Sequence, residues 1–121
     1  MKIYIGDSDV RHTELYNLLM KSKTLSLCTF VYKKDINNEK ELLKNCDVMI
    51  ADVSYPTIPL GIELGWADIY DVDIICVCVK GTAISSHLTR MSKDILTYTD
   101  SADMVEKLEW LFKNKYRIET V

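Results

Sequence analysis

Short apolar runs alternate with segments of helical periodicity along the whole chain. The runs predict strands, and the segments in which apolar residues recur every three or four positions predict helices. The strands are expected at Lys2–Ile5, Leu27–Val31, Asp47–Val53, Asp73–Val79 and Ile95–Tyr98. The helices are expected over Val10–Ser22, from Asn38 to about Cys46, from the loop with Pro56 and Pro59 through Tyr70, over Ser85–Met91, and from Ser101 onward.

Five strands that alternate with five helices are typical of a parallel sheet covered by helices on both faces. The third strand supports this prediction, because Val48–Ala51 is continuously apolar, as expected for a strand buried on both sides. We therefore expect one domain over residues 1–121, with a flavodoxin-like or Rossmann-like three-layer α/β sandwich. Its five-stranded parallel sheet is expected to have the order 2-1-3-4-5.

This sheet order also predicts where a ligand binds. In such folds the site lies beyond the carboxyl ends of the strands, where the order reverses between strands one and three. The segments Gly6–Asp9, Asp52–Glu63 and Lys80–Ser86 reach this edge. Candidate functional residues are therefore sought among them.

Composition narrows the class of protein. Hydrophobic residues make up 48% and charged residues 27%, which suffices for a folded core. Fifteen basic against eighteen acidic residues leave a net charge of −3, which argues against a nucleic-acid surface or a polybasic membrane patch. No apolar stretch is long enough for a membrane span, and the N-terminus becomes acidic too soon for a signal peptide. A cytoplasmic protein that binds no nucleic-acid polymer and no membrane is expected.

The four cysteines, Cys28, Cys46, Cys76 and Cys78, include no C-x-x-C pair, and the chain has only two histidines. Cys76 and Cys78 lie two apart in an apolar run, so a strand would turn both to one face. This pattern favours buried, reduced thiols. No metal and no cofactor are expected.

Glu63 is the first candidate for chemistry. It begins an i, i+3, i+4, i+7 stripe that ends at Tyr70, about one turn inside a helix whose first turn holds Pro59. The helix dipole favours a carboxylate there, so Glu63 is either a functional group or a solvated acid that suits the dipole. Gly65 in mid-helix costs about 1 kcal/mol relative to Ala, which predicts close packing of this helix on the sheet.

Glu39 is a second candidate carboxylate. It aligns with Leu43 and Cys46 at i, i+4, i+7, so it leans toward the apolar face at the start of its helix. Such a side chain is able to reach the mouth of the site, although an ordinary first-turn acid has the same pattern. Asp35 and Asp52 are rivals for the same role.

The other residues at the strand ends are small and polar. Asp7 and Ser8 follow the first strand, where they would either contact a ligand or cap the next helix. Ser85 and Ser86 lie in a hydroxyl-rich loop with one base, Lys80. That loop would bind an anion through its N–H and hydroxyl groups, or form a plain polar turn.

The segments Asp47–Ser54 (DVMIADVS) and Leu60–Ala67 (LGIELGWA) carry the most specific pattern. Together they form a strand ending in an acid, a short Pro/Gly loop and the motif G-x-E-L-G-x-A. This pattern resembles the nucleoside 2-deoxyribosyltransferase superfamily, which includes the 2'-deoxynucleoside 5'-monophosphate N-glycosidases. In order and spacing the resemblance covers nearly the whole chain. It implies an enzyme that cleaves or exchanges the N-glycosidic bond of a (deoxy)nucleoside or its 5'-monophosphate.

The resemblance also implies roles for individual residues. Glu63 matches the nucleophile that forms a glycosyl-enzyme ester, and Glu39 stands where the family usually carries an Asp as second acid. Tyr4 matches the aromatic residue that orients the nucleophile, and Ser85 matches a serine that binds phosphate. With the strand-end loops, the expected substrate-binding residues are Gly6, Asp7, Ser8, Asp52, Ser54, Pro59, Gly61, Ser85 and Ser86. A small-molecule nucleoside or nucleotide is the implied partner, and a homodimer or larger homo-oligomer the implied assembly.

Two departures from the family leave hydrolase and transferase both open. The loop Gly6–Asp9 lacks the Arg/Gly run of the nucleotide hydrolases, and Tyr116–Val121 lacks the Asn/Asp-rich tail of many transferases. Two other functions remain as alternatives. One is a nucleotide- or nucleoside-sensing domain without catalysis on the same fold. The other is a two-component receiver domain with Asp52 as phosphoacceptor, against which stands Tyr98 where receivers have a Lys.

Overall fold

A computed structural model describes residues 1–6, 12–31 and 39–118 of the chain. Its strands are β1 (Lys2–Gly6), β2 (Thr29–Val31), β3 (Val48–Asp52), β4 (Asp73–Val79) and β5 (Asp94–Tyr98). Its helices are α1 (His12–Met20), α2 (Glu39–Lys44), α3 (Ile58–Ile69), α4 (Ser86–Met91) and α5 (Ser101–Asn114). The predicted alternation of strands and helices is therefore confirmed.

The strands form one parallel sheet with the order β2-β1-β3-β4-β5. This confirms the predicted flavodoxin-like three-layer fold and its strand order. After β1 the chain builds β2 on one side and then crosses to β3 on the other, where Gly6 pairs in register with Ala51. The carboxyl ends of β1 and β3 therefore lie side by side at the point where the order reverses.

Alternate strand residues face opposite sides of the sheet, and two apolar cores result. One core lies under α1 and α5 and contains Ile3, Ile5, Val48, Ile50, Tyr98 and Phe112. The other lies under α2, α3 and α4 and contains Tyr4, Met49, Ala51, Leu43, Leu60 and Ala67. By this alternation Gly6 faces the α2–α3 side with Tyr4, whereas Asp52 faces the α1–α5 side with Ile50.

Several predicted boundaries are wrong by a few residues. Strand β5 begins at Asp94, one residue before the predicted Ile95. Strand β2 begins only at Thr29, because Leu25–Leu27 forms a 3-10 turn. The hydroxyl of Ser22 stabilises this turn by accepting a hydrogen bond from the Leu25 N–H at 3.1 Å. The predicted starts at Val10 and Asn38 lie outside the described residues.

All four cysteines are buried and unpaired, as the sequence predicts. Cys76 and Cys78 lie on the same side of β4, in the core under α2 and α3. Burial raises the pKa of each thiol, that of Cys46 to about 11. In the described ranges no group of three or more His, Cys, Asp or Glu side chains is placed to hold a metal ion. None of the helices described there is long and apolar enough to cross a membrane.

Candidate active site

Helix α3 brings Glu63 to the carboxyl edge of the sheet. Thr57 caps the helix, and its hydroxyl accepts a hydrogen bond from the Leu60 N–H at 3.3 Å. Pro59 lies in the first turn, where a missing N–H has no cost. Leu60 and Ala67 are buried on the sheet, and Glu63 lies on the same side of the helix with only 2% of its surface exposed. The helix therefore delivers an acid into an apolar interior.

The Glu63 carboxylate lies directly over the end of β1. Its Oε2 is 3.3 Å from the position that a Cβ on Gly6 would occupy, and the Cδ1 of Leu60 is 3.2 Å from the same position. The terminal methyl of Met49 lies closer still. The carboxylate therefore occupies this place because residue 6 has no side chain.

Tyr4 lies two residues before Gly6 and faces the same side of the sheet. Its ring is fully buried, and its hydroxyl makes no hydrogen bond of good geometry within the described part of the chain. Burial, the negative charges of Glu63 and Glu39, and a weaker hydrogen bond to Glu63 raise the pKa of the Tyr4 phenol far above its usual value. The phenol thus remains protonated beside two carboxylates.

Glu39 belongs to the same group because α2 packs beside α3. It is the first residue of α2 and is only 7% exposed, whereas Glu41 on the same helix is exposed. One helical turn later, Leu43 is fully buried in the core that contains Tyr4. The structure thus brings Glu63, Glu39 and Tyr4 together, although they lie far apart in sequence.

Asp52 lies in a different environment from this group. Its Oδ2 accepts a hydrogen bond from the Tyr98 hydroxyl at 2.8 Å, and its Oδ1 accepts one from the Ser54 N–H at 3.0 Å. The hydroxyl of Ser54 in turn accepts a hydrogen bond from the Val79 N–H at 2.9 Å. These bonds join the ends of β3, β4 and β5 on the side of the sheet opposite to Tyr4. The geometry therefore favours a structural role for Asp52 and Ser54.

Other expected substrate-binding residues lie on the surface around α3 and α4. Pro59 and Gly61 are exposed on α3. Ser85 caps α4, its hydroxyl accepting a hydrogen bond from the His87 N–H at 3.2 Å, and Ser86 is exposed in the first turn. Asp7, Ser8 and the rival acid Asp35 lie outside the described residues.

The expected role of Gly65 is wrong. A Cβ added at Gly65 would meet nothing within 4 Å, so close packing on the sheet does not require a glycine there. The buried side of α3 is formed by Leu60, Leu64 and Ala67, and Gly65 lies away from it. The contact that does require a glycine is at Gly6, on the strand.

Met49 is a site-edge residue that the sequence did not single out, and Tyr98 was considered there only as an argument against a receiver domain. Tyr98 reaches Asp52 although β4 lies between their strands, and Met49 closes the space around Gly6. The signal for Tyr98 was its position at the end of a strand, where a long polar side chain lies near the other strand ends.

The sheet order and the acid-bearing helix at its switch point define an α/β protein with a buried carboxylate site. No protein-family model and no curated protein matches the chain. Among solved structures, the chain is similar to the CMP N-glycosidase BcmB of Clostridium botulinum, with a TM-score of 0.73 and 17% identity over 91% of this chain and 98% of that one. It is also similar to a 2-deoxyribosyltransferase of Bacillus psychrosaccharolyticus, with a TM-score of 0.65 and 15% identity over 87% and 90% of the two chains.

A signal receiver domain of a Luxo repressor protein from Vibrio parahaemolyticus has the same fold. Its TM-score is 0.64, at 14% identity over 96% of this chain and 92% of that one. Identities this low establish the fold alone. An N-glycosidase and a deoxyribosyltransferase both share the fold, which is consistent with the resemblance found in the sequence.

Proposed function

We propose that this protein is an enzyme that cleaves or exchanges the N-glycosidic bond of a (deoxy)nucleoside or its 5'-monophosphate. One observation carries the proposal: two buried acids, Glu63 and Glu39, lie close enough to the buried phenol of Tyr4 to raise its pKa. All three lie at the switch point of the sheet. Enzymes that break glycosidic bonds use such pairs of carboxyl groups, one as nucleophile and one as acid. The CMP N-glycosidase and the 2-deoxyribosyltransferase that share the fold support the same substrate class.

In the first step a Glu63 oxygen forms a bond to the anomeric carbon while the bond from that carbon to the base nitrogen breaks. The electron pair of the broken bond leaves with the base, which takes a proton from the protonated form of Glu39 and leaves Glu39 as a carboxylate. The product is a glycosyl ester on Glu63. A carboxylate suits this step because positive charge develops on the sugar in the transition state.

In the second step the ester is broken by an acceptor. Water or the nitrogen of a second base attacks the anomeric carbon, Glu39 takes a proton from the acceptor, and the Glu63 carboxylate is released. Water as acceptor makes the enzyme a hydrolase, and a second base makes it a transferase.

Tyr4 is proposed to hold Glu63 in position. Its phenol stays protonated because burial and the two carboxylates raise its pKa, so it is able to donate to the Glu63 carboxylate. The missing side chain at Gly6 leaves the space into which that carboxylate fits. Orientation of this kind reduces the motion that a nucleophile must give up before attack.

The substrate is proposed to lie over the strand ends, near the exposed residues Pro59, Gly61, Ser85 and Ser86. Asp7 and Ser8 follow β1 directly in sequence and remain part of the proposed binding set. Ser85 is the proposed contact for a 5'-phosphate, which the exposure of its side chain supports.

The receiver alternative has less support from the site. Asp52, which would have to accept a phosphoryl group, is buried, and both of its oxygens accept hydrogen bonds. Tyr98 ends β5 and supplies one of them. The fold shared with receiver domains does not by itself favour that function.

The test is a chromatographic screen of the purified protein with a panel of nucleosides and 5'-monophosphates. Each substrate is incubated with and without a second free base. Base released without acceptor indicates a hydrolase, a new nucleoside formed only with acceptor indicates a transferase, and a requirement for phosphate supports the role of Ser85.

Two variants of α3 control the screen. Glu63→Gln should abolish turnover without unfolding the protein, whereas Asp68→Asn, at an exposed acid on the same helix, should retain it. Activity of Glu63→Gln above a few per cent of wild type contradicts the proposal. Binding of a nucleoside without any product favours the sensing domain instead.

A further inference from the structure

A cavity lies between α1 and α5, in the helix layer on the opposite side of the sheet from the candidate active site. Its volume is about 600 Å³, which is in the range of sites that hold a small organic molecule. One wall consists of residues at the end of α1 and in the turn after it, within 18–23, and the other of residues in the first part of α5, within 101–109. None of the described residues of the candidate active site lines this α1–α5 cavity.

The inner surface of the α1–α5 cavity is mostly apolar. Leu18 of α1 and Ala102 and Val105 of α5 line it. Positions 102, 105 and 109 lie three and four residues apart, so they share one side of α5. Between positions 101 and 109 the helix rises about 12 Å, so the cavity is elongated along α5. Its shape suits a chain-like apolar body.

The α1 wall of the cavity carries two cations and a buried hydroxyl. Lys21 and Lys23 are exposed, and neither ammonium group makes an ion pair within the described part of the chain. Between them in sequence, Ser22 is only 7% exposed, and its Oγ accepts a hydrogen bond from the Leu25 N–H at 3.1 Å. The Ser22 O–H has no acceptor of its own among the described residues. A buried donor of this kind costs free energy, so an acceptor supplied by a ligand is stabilising there.

The charges of the lining determine which anion fits. Lys21 and Lys23 contribute two positive charges and Glu109 one negative charge, which leaves the lining with a net charge of +1. A carboxylate carries a single negative charge and neutralises this lining, whereas a phosphate monoester carries about −1.5 to −2 at pH 7 and exceeds it. A carboxylate is also an acceptor only, so it matches the Ser22 hydroxyl and the two ammonium groups.

We propose that the α1–α5 cavity is a binding site for a medium-chain fatty acid. The carboxylate of the fatty acid accepts hydrogen bonds from the Ser22 hydroxyl and from Lys21 or Lys23. The alkyl chain extends along α5 against Leu18 and Val105, where each buried methylene group strengthens binding up to about fourfold. This second site lies on the other side of the sheet from the candidate active site, so the inference does not depend on the proposed reaction.

Isothermal titration calorimetry with fatty acids below their micelle-forming concentrations tests the inference. Decanoate should bind saturably, and octanoate, with two fewer methylene groups, should bind about fivefold to fifteenfold more weakly. Octanol, which lacks the carboxylate, should bind at least about fivefold more weakly than octanoate, and octyl phosphate should also bind more weakly than octanoate. The inference is overturned if decanoate does not bind saturably, or if octanol or octyl phosphate binds as tightly as octanoate.

Charge variants of the lining should change decanoate affinity in opposite directions. Lys21→Gln and Lys23→Gln should each weaken binding about two- to fivefold, whereas Glu109→Gln should strengthen it, because the lining becomes one unit more positive. Lys113→Gln is the matched control, since Lys113 is an exposed lysine of α5 that does not line the cavity. It should bind decanoate like the wild type. A loss in Lys113→Gln equal to that in Lys21→Gln indicates general attraction to the protein and overturns the proposed site.

Ala102→Phe tests whether the cavity itself holds the alkyl chain. Residue 102 is exposed on α5 and lines the cavity, so a phenyl ring there should fill the space without unfolding the protein. Decanoate binding should be lost. Lys113→Phe adds the same side chain to α5 outside the cavity and should bind decanoate like the wild type. Circular dichroism checks that both variants are folded, and wild-type affinity in folded Ala102→Phe overturns the proposed position of the chain.

Discussion

The Oε2 of Glu63 lies 3.3 Å from the point at which a Cβ on Gly6 would stand. The acid comes from the second turn of α3, and the glycine is the last residue of β1. The end of the first strand and the motif on the third helix are therefore parts of one site.

Gly6→Ala should lower the free energy of unfolding by about 1–3 kcal/mol. The methyl end of Met49 is flexible and is able to move, but Leu60 and Glu63 are held by α3. The displaced carboxylate should also lower the rate of base release. Gly61→Ala is the control for stability, because a Cβ there meets nothing and should strengthen the helix by up to about 1 kcal/mol. Urea denaturation of both variants gives the comparison, and equal stability would argue against a tight contact at Gly6.

Glu39→Gln should lower the rate of base release about 10²–10⁴-fold if Glu39 protonates the leaving base. Glu41→Gln is the matched control, because Glu41 lies two residues further along α2 and is exposed. For a nucleoside whose base leaves without protonation, the rate of base release by Glu39→Gln should stay much closer to that of the wild type. If Glu39→Gln releases ordinary bases at a rate near that of the wild type, a group other than Glu39 is the general acid.

Tyr4→Phe should change how stability depends on alkaline pH. The unfolded chain releases the Tyr4 proton near its ordinary pKa of 10.0, whereas the folded protein keeps it because the folded pKa is raised. The contribution of Tyr4 to the free energy of unfolding is therefore constant below pH 10 and falls above it, by about 1.4 kcal/mol per pH unit. Above pH 10, wild-type stability should fall more steeply than that of Tyr4→Phe.

Chemical denaturation at several alkaline pH values measures this difference. The raised pKa of Tyr116 is present in both proteins, so its effect cancels in the comparison. Tyr55→Phe removes an exposed phenol and should follow the wild type. Parallel curves for wild type and Tyr4→Phe would show that the Tyr4 phenol is not perturbed.

Tyr98→Phe should lower the free energy of unfolding by about 1–3 kcal/mol. The substitution removes the hydroxyl that donates to the buried carboxylate of Asp52 at 2.8 Å. Tyr116→Phe is the comparison, since its hydroxyl donates to the half-buried Asp73 at 3.1 Å and should cost less. A double-mutant cycle with Asp52→Asn should give a coupling energy above about 0.5 kcal/mol. Additive effects would argue against the structural role of Asp52.

The sequence alone determined most elements because their signals are local. Their alternation indicated the fold class, and the strand order was predicted from that class. The apolar run Ile74–Val79 is complete within β4, and the stripe that buries Glu63 follows from helical spacing inside α3. The burial of Glu39 with Leu43 follows in the same way from spacing within α2. Such patterns depend on residues at most a few positions apart, so they are visible without any knowledge of the fold.

Only the tertiary structure decided which residues of different elements meet. Asp52 was a rival acid in the sequence, and its contact with Tyr98 depends on two strands separated by β4. Gly65 was expected against the sheet, and it is instead Gly6 that a carboxylate overlies. The physical reason is that the periodicity of apolar residues along a strand or helix indicates only which side of that element is buried. The neighbour on that side is chosen by the packing of whole strands and helices, and no local spacing encodes it.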